Sequence, residues 1–376
     1  MKLYYIVNAR IPTEKAHGFQ IGKMCSEFAK AGSEVELWVP RRANDIGRDV
    51  FEFYGLERNF RIKKIFCLDF LRLPLFKKAA FYLQSFSFFL SLIFKKLDKG
   101  ALIYTRNPEL VWLFGLKGRK VIYDAHSWPQ SKEKLFKFFL KRASAVICNS
   151  RGTEAEFEKN HFRTLVAPNG VDLGAFLIKE DEEELRKNFG LPLDRKIVMY
   201  VGHLYGWKGV DTIIEAAALS KDEKLLFVLV GGTEEDLKKY RKIMEERSLR
   251  NISLLGRKDK GLIPKFLKCA DILLLPNSGK SKESKAYTSP IKMFEYLASG
   301  KPIIASDLPS LREILDERNC FFVRPDSPDQ LFERINFIVN NDRAADAAAK
   351  EALESAKEYS WEKRAGKIIN FLKEIR

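Results

Sequence analysis

The sequence predicts an α/β protein made of two doubly wound parallel-sheet domains, and three observations carry that prediction. Short apolar runs alternate with longer amphipathic ones. The alternation breaks once, at Pro168-Asn169-Gly170, and then restarts. A chain of 376 residues that is 46% hydrophobic is long enough and apolar enough to fill two cores. In the first half, Lys2–Val7 reads as a strand. Ile21, Met24, Cys25 and Phe28 then share one helical face within residues 21–31, Gly32 stops that helix, and Glu34–Val39 returns as a strand. Further strands are expected at Ala101–Tyr104, Lys120–Tyr123, Ala145–Cys148 and Thr164–Ala167. In the second half they are expected at Lys196–Val201, Leu225–Val230, Ile252–Leu255, Ile272–Leu275, Pro302–Ala305 and Cys320–Val323. Helices Val210–Leu219 and Leu237–Glu246 fall between them. This β-α-β order implies two Rossmann-like units, a linker near residues 170–190, and a helical stretch from Asp342 to the C-terminus.

Composition narrows the function classes. The net charge of +16 predicts attraction to an anionic partner, whether nucleic acid, phospholipid or a phosphate-bearing small molecule. Nucleic acid fits poorly, because the positive charge is scattered and no basic run is interleaved with stacking aromatics. Five cysteines lie far apart, so neither a disulfide framework nor a zinc knuckle is expected, and a reducing cytoplasm fits best. The run Leu3 to Val7 is too short for a signal-peptide core. The four histidines have no mutual metal-ligand spacing and no D-x-D occurs, so no metal is expected. Gly279-Lys280-Ser281 imitates the end of a P-loop, but Leu274 stands where its first glycine belongs.

One segment differs from the rest. Residues 79–94 (AAFYLQSFSFFLSLIF) carry no charge and lie between Lys77-Lys78 and Lys95-Lys96. They fall short of the roughly 20 residues that a spanning helix needs. Gln84, Ser87 and Ser91 recur at helical spacing, a narrow polar stripe on an aromatic-rich helix. Two readings stay open: an ordinary buried helix, or a helix lying partly in a membrane interface, with residues 77–97 making peripheral contact.

Two segments have the makings of an anion site. VGHLYGWKGVD, from Val201, follows a strand; Gly202, Gly206 and Gly209 permit tight turning, and Lys208 brings a cation to the start of the next helix. The second begins at Thr288. Ser289 suits an N-cap and Pro290 the first helical position of a helix over Ile291 to Ala298, with Lys292 in its first turn. Glu295 lies one to two turns inside, able to accept two hydrogen bonds from a vicinal diol such as a ribose. Two such elements in one domain point to a nucleoside diphosphate.

In these motifs the chain resembles the retaining glycosyltransferases of family 4, whose GT-B fold sets two Rossmann-like domains facing across a cleft. Five features carry the likeness, in order. They are Ala16-His17-Gly18-Phe19, Asp124-Ala125-His126, Pro168-Asn169-Gly170-Val171-Asp172, Gly202…Lys208-Gly209, and the Glu295 helix with its Ser299-Gly300-Lys301-Pro302 turn. The resemblance implies an acceptor-side domain over 1–175, a nucleotide-sugar domain over 190–355, and a terminal helix over 356–376, around Trp361, crossing back to the first. It further implies that Lys208 binds the donor pyrophosphate and Glu295 the ribose. The Gly18 loop would let the first domain approach the donor, His126 would contact the transferred sugar, and Arg257 would fall where the family's backbone meets the base. Gly202, Ser289, Pro290, Ile291 and Lys292 complete the donor set. The sequence departs from the family twice: His203 replaces the usual Arg five residues before Lys208, and Tyr287 stands where the first glutamate of E-x7-E belongs. Sugar recognition then rests on Thr288 to Lys292.

The implied reaction is a metal-independent transfer, with retention, of a hexosyl group from a UDP- or GDP-sugar to a hydroxyl of a lipid-linked or glycan acceptor. Lys208, His203 and the helix start after Ser289 would stabilise the departing diphosphate. No other cofactor is implied, and the expected location is the cytoplasm, at the inner face of the membrane. A sugar-nucleotide epimerase of the same fold is the alternative enzyme; a nucleic-acid-binding protein is the alternative from another class.

Overall fold

The computed structural model describes residues 1–71 and 77–375, with side chains from 79 onward in the second stretch. The chain forms two compact units. One contains Met1–Asn149, Thr153–Ala167 and Trp361–Arg376; the other contains Ser150–Gly152 and Pro168–Ser360.

The N-terminal unit is a parallel sheet of seven strands: β1 (Lys2–Ile6), β2 (Glu34–Pro40), β3 (Arg61–Ile65), β4 (Leu102–Thr105), β5 (Val121–Ala125), β6 (Ala145–Cys148) and β7 (Thr164–Val166), in the order β3-β2-β1-β4-β5-β6-β7. The second unit has six: β8 (Lys196–Val201), β9 (Leu225–Val230), β10 (Ile252–Gly256), β11 (Ile272–Leu275), β12 (Ile303–Ser306) and β13 (Phe321–Val323), in the order β10-β9-β8-β11-β12-β13. Strand order reverses between β1 and β4 in one unit and between β8 and β11 in the other. In open parallel sheets such reversals open the crevice in which ligands bind, beyond the carboxyl ends of the strands. β8 shows why the sheets are buried on both faces: Ile197, Met199 and Val201 enter one core while Val198 and Tyr200 enter the other.

Three expectations need correction. Residues 170–190 are not a linker: Val171 and Leu185 belong to the second unit's core, and the acidic stretch begins a capped helix, Glu182–Asn188, whose negative first turn suits the helix dipole. The C-terminal stretch is two helices, Asp342–Ala356 and Trp361–Ile375, parted where Ser360 bridges Val171. The last helix starts at Trp361 rather than 356 and packs on helix Ala16–Lys30 within the N-terminal unit, with Trp361 edge-on to Phe19. The sequence reading also lacked β3 and the short helix Val50–Tyr54. In β3 only Ile65 is buried while Arg61, Lys63 and Lys64 are exposed, the signature of a lysine-guarded edge, not of an apolar run.

Helix Lys77–Ile93 buries a mixed face, with Ala80, Phe88 and Leu92 inside beside Gln84 and Ser87. Its polar stripe points inward: Gln84 is fully buried and donates to Asn8 Oδ1 (2.9 Å), and Ser87 Oγ accepts from the Leu68 amide (2.8 Å). Its aromatic side points outward, with Tyr82 66%, Phe86 60% and Phe94 84% exposed, beside Phe81 and Leu83. The reading as a wholly buried helix is therefore wrong. Lys95 and Lys96 are exposed at its C-terminal end; the side chains of Lys77 and Lys78 lie outside the described residues.

Candidate functional site

In the second unit the site begins at the carboxyl end of β8. Residues Gly206–Lys208 make a single helical turn, and Gly209 starts helix Val210–Leu219. Gly209 has φ +78°, and a Cβ there would stand 1.7 Å from the Pro276 carbonyl oxygen, so only glycine lets the loops after β8 and β11 approach this closely. Ser278 N donates to Trp207 O (3.0 Å), joining the same two loops. Lys208 lies over the Trp207 ring, its Nζ 3.7 Å from the centroid. Burial lowers its basicity to a pKa of about 7, against a small opposing pull from Glu283.

The second element is helix Ile291–Ser299. Its Tyr296 hydroxyl accepts from Val201 N (2.8 Å), which fixes the helix against the end of β8. Pro290, not Ser289, is the capping residue, and no side chain caps the helix. The Ser289 hydroxyl instead accepts from the Asn169 amide (3.2 Å), so Ser289 secures the entry loop rather than the helix start. Lys292 reaches back to β8: its amine is buried, 3.7 Å from the Tyr200 ring centroid, and makes no hydrogen bond among the described residues. Burial, then Lys208, drives its pKa well below the ordinary value, with Glu295 opposing. His203 stacks on Tyr205 and is likewise pushed down, by burial first and then by Lys292. Glu295 is mostly buried and ion-paired with Lys260, so its carboxylate already has a cationic partner, one that the sequence reading did not identify.

The structure thus brings Lys208, Lys292, His203, Gly202 and Glu295 together at the reversal between β8 and β11. Arg257 is exposed just after β10 and close enough to His203 to lower its pKa. Tyr287 is buried at the end of the widened helical turn Glu283–Tyr287 and cannot stand in for an exposed acid. Glu283, at the start of that turn, is the carboxylate whose field reaches Lys208. Its spacing of twelve residues from Glu295 fits no motif, so nothing in the sequence marks it.

The N-terminal unit has its own polar cluster at the reversal between β1 and β4. Asp124, at the end of β5, is buried. Its Oδ2 accepts from Tyr5 Oη (3.1 Å) and Arg106 Nε (2.8 Å) and lies 3.1 Å from His126 Nε2, while Arg364 lies 3.5 Å from Oδ1. Burial alone would raise the Asp124 carboxyl, but Arg106, then His126 and Arg364, hold it well below the usual range. Burial, then Arg106, lowers His126, so the neutral ring points its Nε2 proton at Asp124 and keeps Nδ1 as acceptor. His17 falls to about 4 by burial and the Arg106 field. Arg106 and Arg364 were not identified from sequence. Gly18 needs correction too: it lies inside helix Ala16–Lys30, where a Cβ would meet Tyr54 Oη at 2.2 Å and Thr13 Cγ2 at 2.4 Å. The space that a side chain there would need is filled by Tyr54 and Thr13. Among the described residues no group of three or more His, Cys, Asp or Glu could hold a metal ion, and no helix is long and apolar enough to cross a membrane.

Comparison with known proteins agrees with this architecture. Residues 20–175 match the family model described as Glycosyltransferase Family 4, and residues 181–355 match Glycosyl transferases group 1. An uncharacterized glycosyltransferase of Methanocaldococcus jannaschii, MJ1178, is 29% identical over 61% of this chain and 59% of its own. A D-inositol 3-phosphate glycosyltransferase of Corynebacterium urealyticum is 23% identical over 70% and 64%. The chain spans about three fifths of the length of the curated relatives it matches. In fold it resembles Anabaena Alr3699/HepE, crystallised with UDP, with a TM-score of 0.76 at 17% identity over 100% of both chains. Two parallel-sheet units in this order, matched in turn by two glycosyltransferase family models, identify the chain as a member of the glycosyltransferases with the GT-B fold.

Proposed function

We propose that the chain transfers a glycosyl group, with retention of anomeric configuration, from a nucleoside-diphosphate sugar to a hydroxyl acceptor. The observation that carries this reading is the convergence of two amines of depressed basicity, Lys208 and Lys292, at the carboxyl end of β8, beside the start of helix Ile291–Ser299. Little but an anion with several oxygens would make both ammonium groups favourable there. UDP is the proposed nucleotide, in line with the UDP complex of Alr3699/HepE. Glu295 would turn its second oxygen to the ribose while Lys260 holds the first.

The chemistry follows from charge. As the glycosidic bond to the diphosphate breaks, negative charge gathers on the departing phosphate, and Lys208 with Lys292 offsets it without requiring a metal. The acceptor hydroxyl attacks the same face, and the leaving phosphate takes its proton. His126 is the residue proposed to meet the transferred sugar.

A lipid-linked acceptor is the companion proposal, and the outward aromatic side of helix Lys77–Ile93 supports it. A cost of exposing Phe81, Tyr82, Phe86 and Phe94 to water is relieved in a bilayer interface, where Lys95, Lys96, Lys63 and Lys64 meet anionic head groups.

A thermal-unfolding screen of UDP, GDP and ADP tests the core of the reading. The matching nucleotide at 100 times its dissociation constant stabilises the fold by about 2.7 kcal/mol. No shift with any of the three would contradict it.

A further inference from the structure

Lys292 occupies a space made for it. Its Nζ lies over the Tyr200 ring, and a Cβ at residue 202 would stand 2.7 Å from that Nζ and 3.0 Å from its Cε. Gly202 also has φ +144°, so this turn tolerates no side chain on either count. The amine is buried, and among the described residues no oxygen accepts from it. β8 contributes the Tyr200 ring, and the following loop contributes His203 and Lys208. Its own helix contributes Glu295, whose carboxylate is already shared with Lys260. Among the described residues the charged neighbours are Lys208 and His203, both basic, and Glu295, which is already ion-paired with Lys260. An ammonium here lacks a counter-charge until an anion arrives.

We propose that Lys292 binds a proton from solvent as the donor diphosphate enters, so that the site acquires its second cation only when occupied. The inference rests on the reading that this site receives a nucleoside diphosphate, and it goes beyond it in assigning a protonation change to one residue. The step is balanced: the neutral amine takes one proton from the buffer, and the resulting ammonium pairs with a phosphate oxygen. Nothing is oxidised or transferred. The arrangement has a consequence for the catalytic cycle. The free site carries less positive charge than its residue count implies, which favours release of the nucleotide product as the proton leaves with it.

Calorimetric titration of the full chain with UDP at pH 8.5, in two buffers of different ionisation enthalpy, reads the proton count directly. Lys208, whose pKa is about 7, also takes up a proton at this pH. The wild type should then bind more than one proton per UDP, and Lys292→Met about one fewer, with a smaller loss of affinity between pH 7 and pH 9. Met keeps the apolar stem and removes the buried amine, so the variant should unfold no earlier than the wild type. The wild-type pH dependence stands as a separate test should that variant misfold. Proton uptake unchanged by Lys292→Met, or binding heats independent of buffer in the wild type, overturns the inference and leaves the nucleotide reading intact. No binding of UDP, GDP or ADP in any buffer overturns both.

Discussion

Replacing Lys208 by Met should make the unliganded protein more stable while weakening its grip on nucleotide. The amine is lowered from its ordinary 10.5 to about 7, chiefly by burial. At about 1.36 kcal/mol per pKa unit, this depression sets a ceiling of roughly 4–5 kcal/mol on the strain that the charge imposes at pH 7. The side chain is partly exposed, and rearrangement relieves much of that, so a net gain of about 1–3 kcal/mol is expected. The sign follows from linkage. A base whose folded pKa is depressed leaves stability intact above its unfolded pKa, and stability falls as pH drops towards the folded value. Met removes the titration, so its advantage should be largest near pH 7 and vanish near pH 10.5. For a unit of about 200 residues, the midpoint should rise by roughly 3–8 °C at pH 7. Affinity for UDP should fall by the 1.5–3 kcal/mol typical of a charged hydrogen bond, roughly 10–100-fold. The assay is thermal unfolding at pH 7 and pH 10.5, with and without UDP. A midpoint that falls at pH 7, or a gain of equal size at both pH values, would refute the reasoning.

Other outcomes follow from the same structure. Glu295→Gln should weaken UDP by roughly tenfold, about 1.4 kcal/mol, yet leave inorganic pyrophosphate binding almost unchanged; equal losses for both ligands would remove the ribose assignment. Asp124→Asn leaves Arg106 and Arg364 without a buried counter-charge and should destabilise the N-terminal unit by about 3–5 kcal/mol, read from denaturant midpoints. Changing Phe81, Tyr82 and Phe86 together to Ser should abolish flotation with phosphatidylglycerol vesicles at low salt while leaving the thermal midpoint within a few degrees. If the triple variant floats as the wild type does, this helix is not the membrane contact.

Much of the fold was legible in the sequence because buried parallel strands are continuous apolar runs. Ala145–Cys148, Lys196–Val201, Leu225–Val230 and Ile272–Leu275 were placed at the bounds the structure has. β3 was not legible, since an edge strand guarded by lysines lacks that signal. Pro168-Asn169-Gly170 does mark the passage between units, but the acidic residues after it, which resemble a linker in composition, are a helix start. At the site, the glycine-rich turn and the Glu295 helix could be found because each is local and contiguous. Lys260, Glu283, Arg106 and Arg364 could not, because each acquires its partner only through tertiary folding. Gly18 belongs by motif to a loop, yet it lies inside helix Ala16–Lys30, against Tyr54 and Thr13. Helix Lys77–Ile93 is the clearest lesson in orientation. Its periodicity gave a polar stripe and an aromatic side, but which of them faced inward depended on Asn8 and Leu68, far off in sequence.

Diphosphate capture between the turn at Gly202–Lys208 and the beginning of helix Ile291–Ser299 is the step on which the proposed transfer depends. Amide hydrogen exchange with and without saturating UDP tests this most directly. Slowed exchange concentrated at residues 202–209 and 289–293 is the predicted result, and protection confined to other segments, with these two unchanged, would contradict it.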